Sequence, residues 1–284
     1  MKILVIGGAG FVGSNLCKRL IEDKNTVISL DNYSVGTRNN HIKNVTYIKG
    51  DSKDIEKLIN ESVNLIFHLG EYSRVEQSFL DIEKVIDSNI NGTAAVLEFW
   101  RKQKCKLVYA GSSTKFSNDS GRDSSPYAYT KSSNTELVKN YASWFNLPYA
   151  ISYFYNVYGK NEVADGNYAT LIAIFKKRFL EGKNLSVVEP GSQRRNFTYI
   201  DDIIDALMLI GDKATGDEYG IGADESYSVL DIASLFKRKI DMLPPRRGNR
   251  MDGKVLTEKT KALGWSPKTK IEDHIYEFIK KESK

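Results

Sequence analysis

Cysteine and histidine are scarce in this chain of 284 residues, which has two Cys and three His. Two thiols cannot form a disulfide framework, and Cys17 and Cys105 lie in apolar segments without metal-ligand spacing. We therefore predict no metal site and a reducing, cytoplasmic location.

Long apolar runs and strong charge are also lacking. No segment approaches the eighteen or so apolar residues that a membrane helix needs, and the apolar N-terminus continues into a glycine-rich turn instead of a cleavage site. The net charge is only +5, without a dense basic run interleaved with aromatics. These patterns argue against a membrane protein and a nucleic-acid partner. The small positive excess suits a phosphorylated ligand or simply a mixed, solvated surface.

The first half of the chain alternates short β-branched runs with segments of helical periodicity. Predicted strands lie at 2–7, 26–31, 45–49, 65–69, 106–110 and 149–155, and predicted helices at 11–23, 81–103 and 126–145. Buried runs separated by helices predict an α/β fold with a doubly wound parallel sheet. After about Asn156 the rhythm changes, with further helices expected at 168–180, 203–211, 228–240 and 273–280. We predict a main domain over 1–160, to which about 193–211 returns, and a smaller, partly interleaved C-terminal domain over 161–284.

A glycine-rich turn follows the first strand and opens the first helix, with Gly7, Gly10 and Gly13 in the pattern Gly-x-x-Gly-x-x-Gly. Such glycines let a diphosphate approach the backbone at a helix N-terminus. The second strand ends at Asp31, whose carboxylate can accept hydrogen bonds from ribose hydroxyls and would repel the extra phosphate of NADP. The pattern therefore favours NAD, the alternative being a glycine-rich turn without ligand. Asp51, after the third strand, either meets the adenine edge or caps a helix.

Tyr127 and Lys131 are four residues apart in a predicted helix that starts with Pro126. This spacing places both side chains on one helix face. A Lys ammonium near a phenol favours the phenolate, which can act as general base and acid on a sugar hydroxyl. Most Tyr-x-x-x-Lys pairs are surface pairs, but here Ser112 ends the preceding strand and its hydroxyl can hold the same substrate oxygen.

With these motifs the chain resembles the extended short-chain dehydrogenases/reductases, in particular the NAD-dependent epimerase/dehydratase family. The resemblance runs almost end to end, and further motifs that carry it are His68-Leu69-Gly70, Asn89-Ile90-Asn91-Gly92-Thr93, Asn156-Val157-Tyr158-Gly159, Arg195-Asn196-Phe197, Asp201-Asp202 and Leu263-Gly264-Trp265. It implies a Rossmann-type NAD-binding domain, a substrate-binding C-terminal domain and a nucleotide-diphosphate sugar as substrate. It also implies a role in polysaccharide precursor synthesis.

The resemblance implies a site residue by residue. The catalytic residues would be Ser112, Tyr127 and Lys131. The cofactor-binding residues would be Gly7, Gly10, Phe11, Val12, Gly13, Asp31, Asn32, Asp51, Ser52, Leu69, Gly70, Asn89, Tyr127, Lys131 and Tyr153. The substrate-binding residues would be Ser113, Asn156, Arg195 and Arg250.

The resemblance further implies a homodimer in which the Tyr–Lys helix packs against its copy. The predicted helix over 81–103 can contribute apolar side chains to that interface, or the same side chains can be monomer core: Val85, Ile86, Val96, Leu97 and Phe99.

The strand-end segment Ser112-Ser113-Thr114 bears on the reaction. In the family that this chain resembles, dehydratases have the sequence Thr-Asp-Glu at this position. Decarboxylases of the family carry a Glu two residues after the catalytic hydroxyl. This chain has no carboxylate in the segment, which predicts a neutral pocket at the strand end. A neutral pocket suits a reaction that transfers only a hydride and one proton. We predict an NAD-dependent sugar epimerase acting at C4 through a 4-keto intermediate. The alternatives are a 4-dehydrogenase or 4-ketoreductase, and less so a 4,6-dehydratase or a non-catalytic NAD-binding protein.

Three departures from the family pattern leave the sugar and the exact reaction open. Tyr153 occupies a position where the family often has Arg, and Asn196 one where it often has Asp. The loop from Gly70 to Glu76 is also unlike that of galactose epimerases, and Glu71 or Glu76 can face the substrate.

Overall fold

The computed structural model describes residues 1–116, 121–245, 251 and 255–282. Its strands are β1 (Lys2–Ile6), β2 (Thr26–Asp31), β3 (Val45–Lys49), β4 (Leu65–His68), β5 (Lys106–Ser112), β6 (Tyr149–Phe154), β7 (Val157–Tyr158), β8 (Leu185–Val188), β9 (Arg194–Arg195), β10 (Thr198–Tyr199), β11 (Gly216–Ile221), β12 (Tyr227–Ser228) and β13 (Ile240–Leu243). Its α-helices are α1 (Phe11–Glu22), α2 (Ile55–Leu58), α3 (Ile82–Val85), α4 (Gly92–Gln103), α5 (Pro126–Phe145), α6 (Leu171–Leu180), α7 (Ile200–Lys213), α8 (Val229–Leu235), α9 (Glu258–Ala262) and α10 (Ile271–Glu282).

Seven strands form one parallel sheet in the order β11-β6-β5-β4-β1-β2-β3. The chain runs outward from β1 to β3, then returns to β4 on the other side of β1. Because of this reversal, the carboxyl ends of β1 and β4 flank a crevice where ligands bind in open α/β sheets. The predicted Rossmann-type, doubly wound fold is confirmed.

Helices cover both faces of the sheet, as continuous apolar strands require. On one face, α4 and α5 bury Trp100 and Val138 against Leu107 and Tyr109 of β5. On the other face, α1 and α7 cover the sheet with apolar side chains that include Leu16, Leu20, Ile203 and Leu207. Together these two layers hold the carboxyl ends of the strands in a fixed arrangement.

The smaller unit has its own apolar cluster, which includes Phe175, Leu185, Phe236 and Ile275. The main sheet nevertheless extends beyond the predicted return at about 193–211, because β11 pairs with β6 at its edge. The C-terminal segment is fastened to α7 by Asp202, whose carboxylate accepts hydrogen bonds from the backbone of 268 and 269 and whose carbonyl accepts one from the Trp265 indole.

Several helix bounds differ from the prediction. The predicted helix over 81–103 is divided into α3 and α4 by a π-helical segment, Ile86–Asn91. The predicted helix over 228–240 is confined to α8, which starts at a capping box between Ser228 and Asp231, and its expected end enters β13. Within the described residues, no helix combines the length and apolarity needed to cross a membrane.

Candidate active site

The glycine-rich turn after β1 is packed too closely for side chains. Gly7 has a φ of +85°, and a Cβ there would lie 2.8 Å from the Gly70 Cα. A Cβ on Gly13 would lie 2.0 Å from the Gly7 carbonyl oxygen. Gly10 serves as the N-cap of α1 without a side-chain cap. The turn thus leaves the first N–H groups of α1 open to a diphosphate, which is the arrangement NAD binding requires.

Asp31 lies at the end of β2, beside this turn. Its carboxylate accepts hydrogen bonds from the backbone N–H groups of Ala9 (2.9 Å) and Tyr33 (2.8 Å), so it is fixed at the cleft edge where a ribose would lie. Asp51 does not line the cleft. It is an N-cap that accepts a hydrogen bond from the Lys53 N–H (3.0 Å) and another from the Asn32 amide (3.1 Å), which agrees with its predicted alternative role.

One cleft of about 900 Å³ runs from the glycine-rich turn across the carboxyl ends of the strands into the smaller unit. Most of the predicted site residues line it: Gly7, Gly10, Phe11, Val12, Gly13, Asp31, Asn32, Ser52, Leu69, Gly70, Ser112, Ser113, Tyr127, Lys131, Asn156 and Arg195. The volume is at the upper end of ligand sites and suits a dinucleotide together with a second ligand.

Besides Asp51, two predicted cofactor residues do not line the cleft. Asn89 is fully buried, and its amide accepts a hydrogen bond from the Tyr72 N–H (2.7 Å) and donates one to the Thr130 hydroxyl (3.0 Å). Tyr153 is also fully buried and donates its hydroxyl to Asp217 (2.6 Å). Both side chains are used inside the core, and their predicted contact with the cofactor stays a prediction. Arg250 lies outside the described residues.

The three predicted catalytic side chains share the cleft. Ser112 ends β5, with its Oγ 2.9 Å from the Thr114 hydroxyl. Tyr127 lies in the first turn of α5, which is fixed by Pro126 and by a cap in which Ser125 accepts a hydrogen bond from the Ala128 N–H (3.0 Å). Lys131 follows one turn later and is nearly buried.

The Lys131 ammonium is fixed by acceptors of the protein itself. It donates hydrogen bonds to the Ala110 carbonyl oxygen and to the carboxylate of Glu71, which directly follows the β4 motif. Its Nζ also lies 4.5 Å from the centroid of the Tyr109 ring. Lys131 therefore has a buried counter-ion that the sequence motifs did not assign.

Every described partner of the Glu71 carboxylate is a donor. Besides Lys131, it accepts hydrogen bonds from the Thr93 hydroxyl, the Tyr109 hydroxyl (2.9 and 3.1 Å) and the Asn134 amide (2.7 Å). These donors come from α4, β5 and α5, and the Glu71 side chain is only 3% exposed. The carboxylate is thus fully satisfied inside the protein.

The charge state of this cluster follows from its contacts. Burial acts to raise the pKa of Glu71, but the Lys131 charge and the hydrogen bonds outweigh burial, so the pKa is lowered and the carboxyl is ionised. Burial lowers the pKa of neighbouring His68 to about 4, so its imidazole is neutral at pH 7. The predicted neutral pocket is therefore wrong: a carboxylate lies beside the catalytic groups, although it is paired with Lys131.

Asn156 and Arg195 line the end of the cleft nearer the smaller unit. Asn156 has a φ of +39° and donates a hydrogen bond to the Asn196 carbonyl oxygen (3.2 Å). The Asn196 amide donates to the carbonyl oxygens of Ala223 (2.8 Å) and Glu225 (3.1 Å). The Asp that the family often has at position 196 could not donate these hydrogen bonds, because a carboxylate has no N–H group. Asn196 therefore fixes the loop at 223–225 beside Arg195.

A Rossmann-type sheet, a glycine-rich turn at its switch point and a Ser, Tyr and Lys in one cleft define an enzyme of the extended short-chain dehydrogenase/reductase class. The model of the NAD dependent epimerase/dehydratase family matches residues 3–222, and the chain belongs to this family.

Individual relatives agree with this assignment. A putative UDP-glucose 4-epimerase of Methanocaldococcus jannaschii is 30% identical over 98% of this chain and 97% of its own length. The crystal structure of a UDP-glucose 4-epimerase from Thermotoga maritima with UDP-glucose superposes with a TM-score of 0.92, 26% identity and full coverage of both chains. A Bacillus cereus UDP-glucuronic acid 4-epimerase mutant, in complex with NAD and a fluorinated UDP-glucuronic acid, gives a TM-score of 0.88, 27% identity and 99% coverage of both chains. NAD is accordingly the cofactor of this protein.

Proposed function

We propose that the protein is a nucleotide-sugar epimerase that inverts C4 of a nucleotide-diphosphate hexose through a 4-keto intermediate. The observation that carries the proposal is that Ser112, Tyr127 and Lys131 line one cleft with the glycine-rich turn. The relatives support it, because those described above are named as 4-epimerases of UDP-sugars.

Each catalytic side chain has a distinct role in this proposal. Tyr127 takes the proton from the C4 hydroxyl, and Ser112 positions that oxygen by a hydrogen bond. Lys131, one turn beyond Tyr127 and held in place by Glu71, would hold the nicotinamide ribose. When bound, NAD supplies the acceptor and the donor of the hydride. The 4-keto sugar turns within the cleft, and Tyr127 then returns the proton to its C4 oxygen.

The paired state of Glu71 supports epimerisation over dehydration. Eliminating water needs an acid and a base that can exchange protons with the sugar. Glu71 accepts hydrogen bonds from four side chains and is almost inaccessible, so it is committed to Lys131. Ser113 and Thr114 add no carboxylate at the strand end.

A product assay tests the proposal. The purified protein is incubated with NAD and a panel of UDP-, GDP- and dTDP-hexoses, and the sugars are read by NMR. A new C4 epimer without net NADH supports the epimerase. Accumulated NADH or a released keto sugar would move the protein to the 4-dehydrogenase or dehydratase class.

We further propose a homodimer formed through the outer side of α5. This helix exposes three large aromatic side chains, Tyr129, Trp144 and Phe145. Of the apolar residues predicted for the neighbouring helix, Ile86 is exposed, whereas the rest are monomer core: Val85, Val96, Leu97 and Phe99. Sedimentation of wild type and Trp144→Glu should show a dimer that the substitution shifts towards monomer, and a wild-type monomer at micromolar concentration would refute the proposal.

A further inference from the structure

Arg74 lies in the segment after β4, three residues beyond Glu71, and lines the cleft. Its guanidinium carbon is 5.8 Å from the centroid of the Tyr168 ring, and it donates a hydrogen bond to the Tyr168 carbonyl oxygen. The Tyr168 ring in turn packs edge-on against Tyr72, with centroids 5.9 Å apart. The cation is therefore held between the two sides of the cleft.

The positive charge of Arg74 has no counter-ion in the described part of the chain. No described carboxylate pairs with it, and its buried Nε has no hydrogen-bond partner there. Burial lowers the pKa of Arg74, and the neighbouring groups that oppose this are the phenols of Tyr127, Tyr168 and Tyr72. The side chain is partly buried, so its charge loses part of its hydration without gaining a counter-ion, and an anionic ligand in the cleft would supply one.

The position of Arg74 indicates which anion this is. Arg74 and Tyr127 line the same cleft and interact electrostatically, and the proposed function, on which this inference rests, sets Tyr127 against the C4 hydroxyl of the sugar. The diphosphate is attached at C1, across the ring from C4. C6, in contrast, is attached to C5, next to C4. C3 also flanks C4, but C6 is the position at which a hexose itself is oxidised to a carboxylate, so we take the anion that reaches Arg74 to be a C6 carboxylate.

We propose that the substrate is a nucleotide-diphosphate hexuronate and that Arg74 is the residue that selects its C6 carboxylate. The planar guanidinium presents parallel N–H donors that match a carboxylate, and the described contacts use only part of them. A neutral hexose, with a hydroxyl at C6, leaves the charge uncompensated.

Binding of matched ligands to three variants tests the proposal. Dissociation constants are measured by calorimetry with NAD present for glucose and glucuronate carried by UDP, dTDP and GDP. The variants are Arg74→Met, which removes the charge at similar length, Arg74→Lys, which keeps the charge without the fork, and Arg101→Met as a surface control. Arg101 pairs with Glu98 on the outside of α4. The kcat/KM of C4 epimerisation is measured in parallel.

We expect wild type to bind the glucuronate at least about tenfold more tightly than the matched glucose. In Arg74→Met the affinity for the glucuronate should fall by about ten- to a hundredfold, as expected for the loss of a charge-assisted hydrogen-bonded pair. The affinity for the glucose should fall by less than about threefold. Arg74→Lys should be intermediate, and Arg101→Met unchanged.

Equal losses on both sugars, or no wild-type preference, would overturn the inference and assign Arg74 a structural role. A glucuronate preference that depends on Arg74, without any C4 epimer formed, would instead refute the proposed reaction. If Arg74→Met does not fold, Arg74→Lys decides, because it retains charge and bulk and should still lose affinity selectively for the glucuronate.

Discussion

Replacing Glu71 by Gln changes one charged group in a cluster where every described partner is a donor. The side chain keeps its shape, but the Lys131 ammonium loses its counter-ion inside the protein. The new amide nitrogen also points a donor at Tyr109 or Asn134, which now donate to the carboxylate. The substitution therefore removes an ion pair and adds a donor–donor conflict.

The expected loss of stability is large for a single substitution. Breaking a buried ion pair by removing one partner destabilises a protein by about 3–5 kcal/mol. Lys131 keeps the Ala110 carbonyl as an acceptor and lies at the wall of an open cleft, so the lower end, about 3 kcal/mol, applies. With a slope of about 3 kcal/mol per molar urea, the unfolding midpoint should fall by about 1 M at pH 7.

The stability difference between wild type and Glu71→Gln should depend on pH in a direction set by the pKa of Glu71. The pKa of Glu71 is lowered in the folded protein from its ordinary value of 4.5. The carboxylate therefore contributes its full stabilisation above pH 4.5 and loses it as the pH falls through the lower, folded pKa. The stability gap between wild type and Glu71→Gln should be constant near neutrality and narrow in acid.

Urea unfolding followed by circular dichroism measures both effects, with Glu98→Gln as the matched control. Glu98 pairs with Arg101 at 2.7 Å, but both side chains are about 40% exposed, so its loss should leave the midpoint nearly unchanged. An unchanged midpoint in Glu71→Gln, or a gap that stays constant into acid, would show that Glu71 and Lys131 are not an ionised buried pair.

Two further predictions concern the proposed chemistry and the cofactor. Tyr127→Phe should retain the fold and lower kcat by about 10²- to 10⁴-fold. As a control, Tyr129→Phe, which changes an exposed residue of the same helix, should retain turnover. A wild-type rate in Tyr127→Phe would reject Tyr127 as the acid–base group. Asp31→Ala should weaken NAD binding and reduce the preference for NAD over NADP in a fluorescence titration, because the carboxylate at the ribose position is removed; equal affinity for NAD in both proteins would contradict that role.

Periodicity and glycine spacing predicted most of the doubly wound sheet because its strands are continuous apolar runs between helices. Strand β11 was not predicted. Its sequence, Gly-Asp-Glu-Tyr-Gly-Ile, is polar at its start, and it becomes a strand by pairing with the edge of β6. The π-helical segment was not predicted either, because it is a single wide turn within a longer run of helical periodicity.

The site was predictable where a residue's role depends on its own neighbours in the chain. The glycine-rich turn and the Tyr127–Lys131 spacing are local features, and both reach the cleft. Asn89 and Tyr153 were assigned by motif position alone, but their accessibility depends on packing between elements. The available signal for Glu71 was a charged residue three positions after the buried end of β4, where burial without partners would be unfavourable.

Two charged residues that the family motifs did not assign, Glu71 and Arg74, lie in the segment after β4. In a doubly wound sheet this segment leaves the carboxyl end of the strand beside the switch point, so its side chains meet both the cofactor side and the substrate side of the cleft. Glu71, nearest the strand, neutralises Lys131 within the protein. Arg74, farther along, lacks a described counter-ion. In these two interpretations the charge at the catalytic lysine is balanced internally, and the charge of Arg74 recognises the sugar.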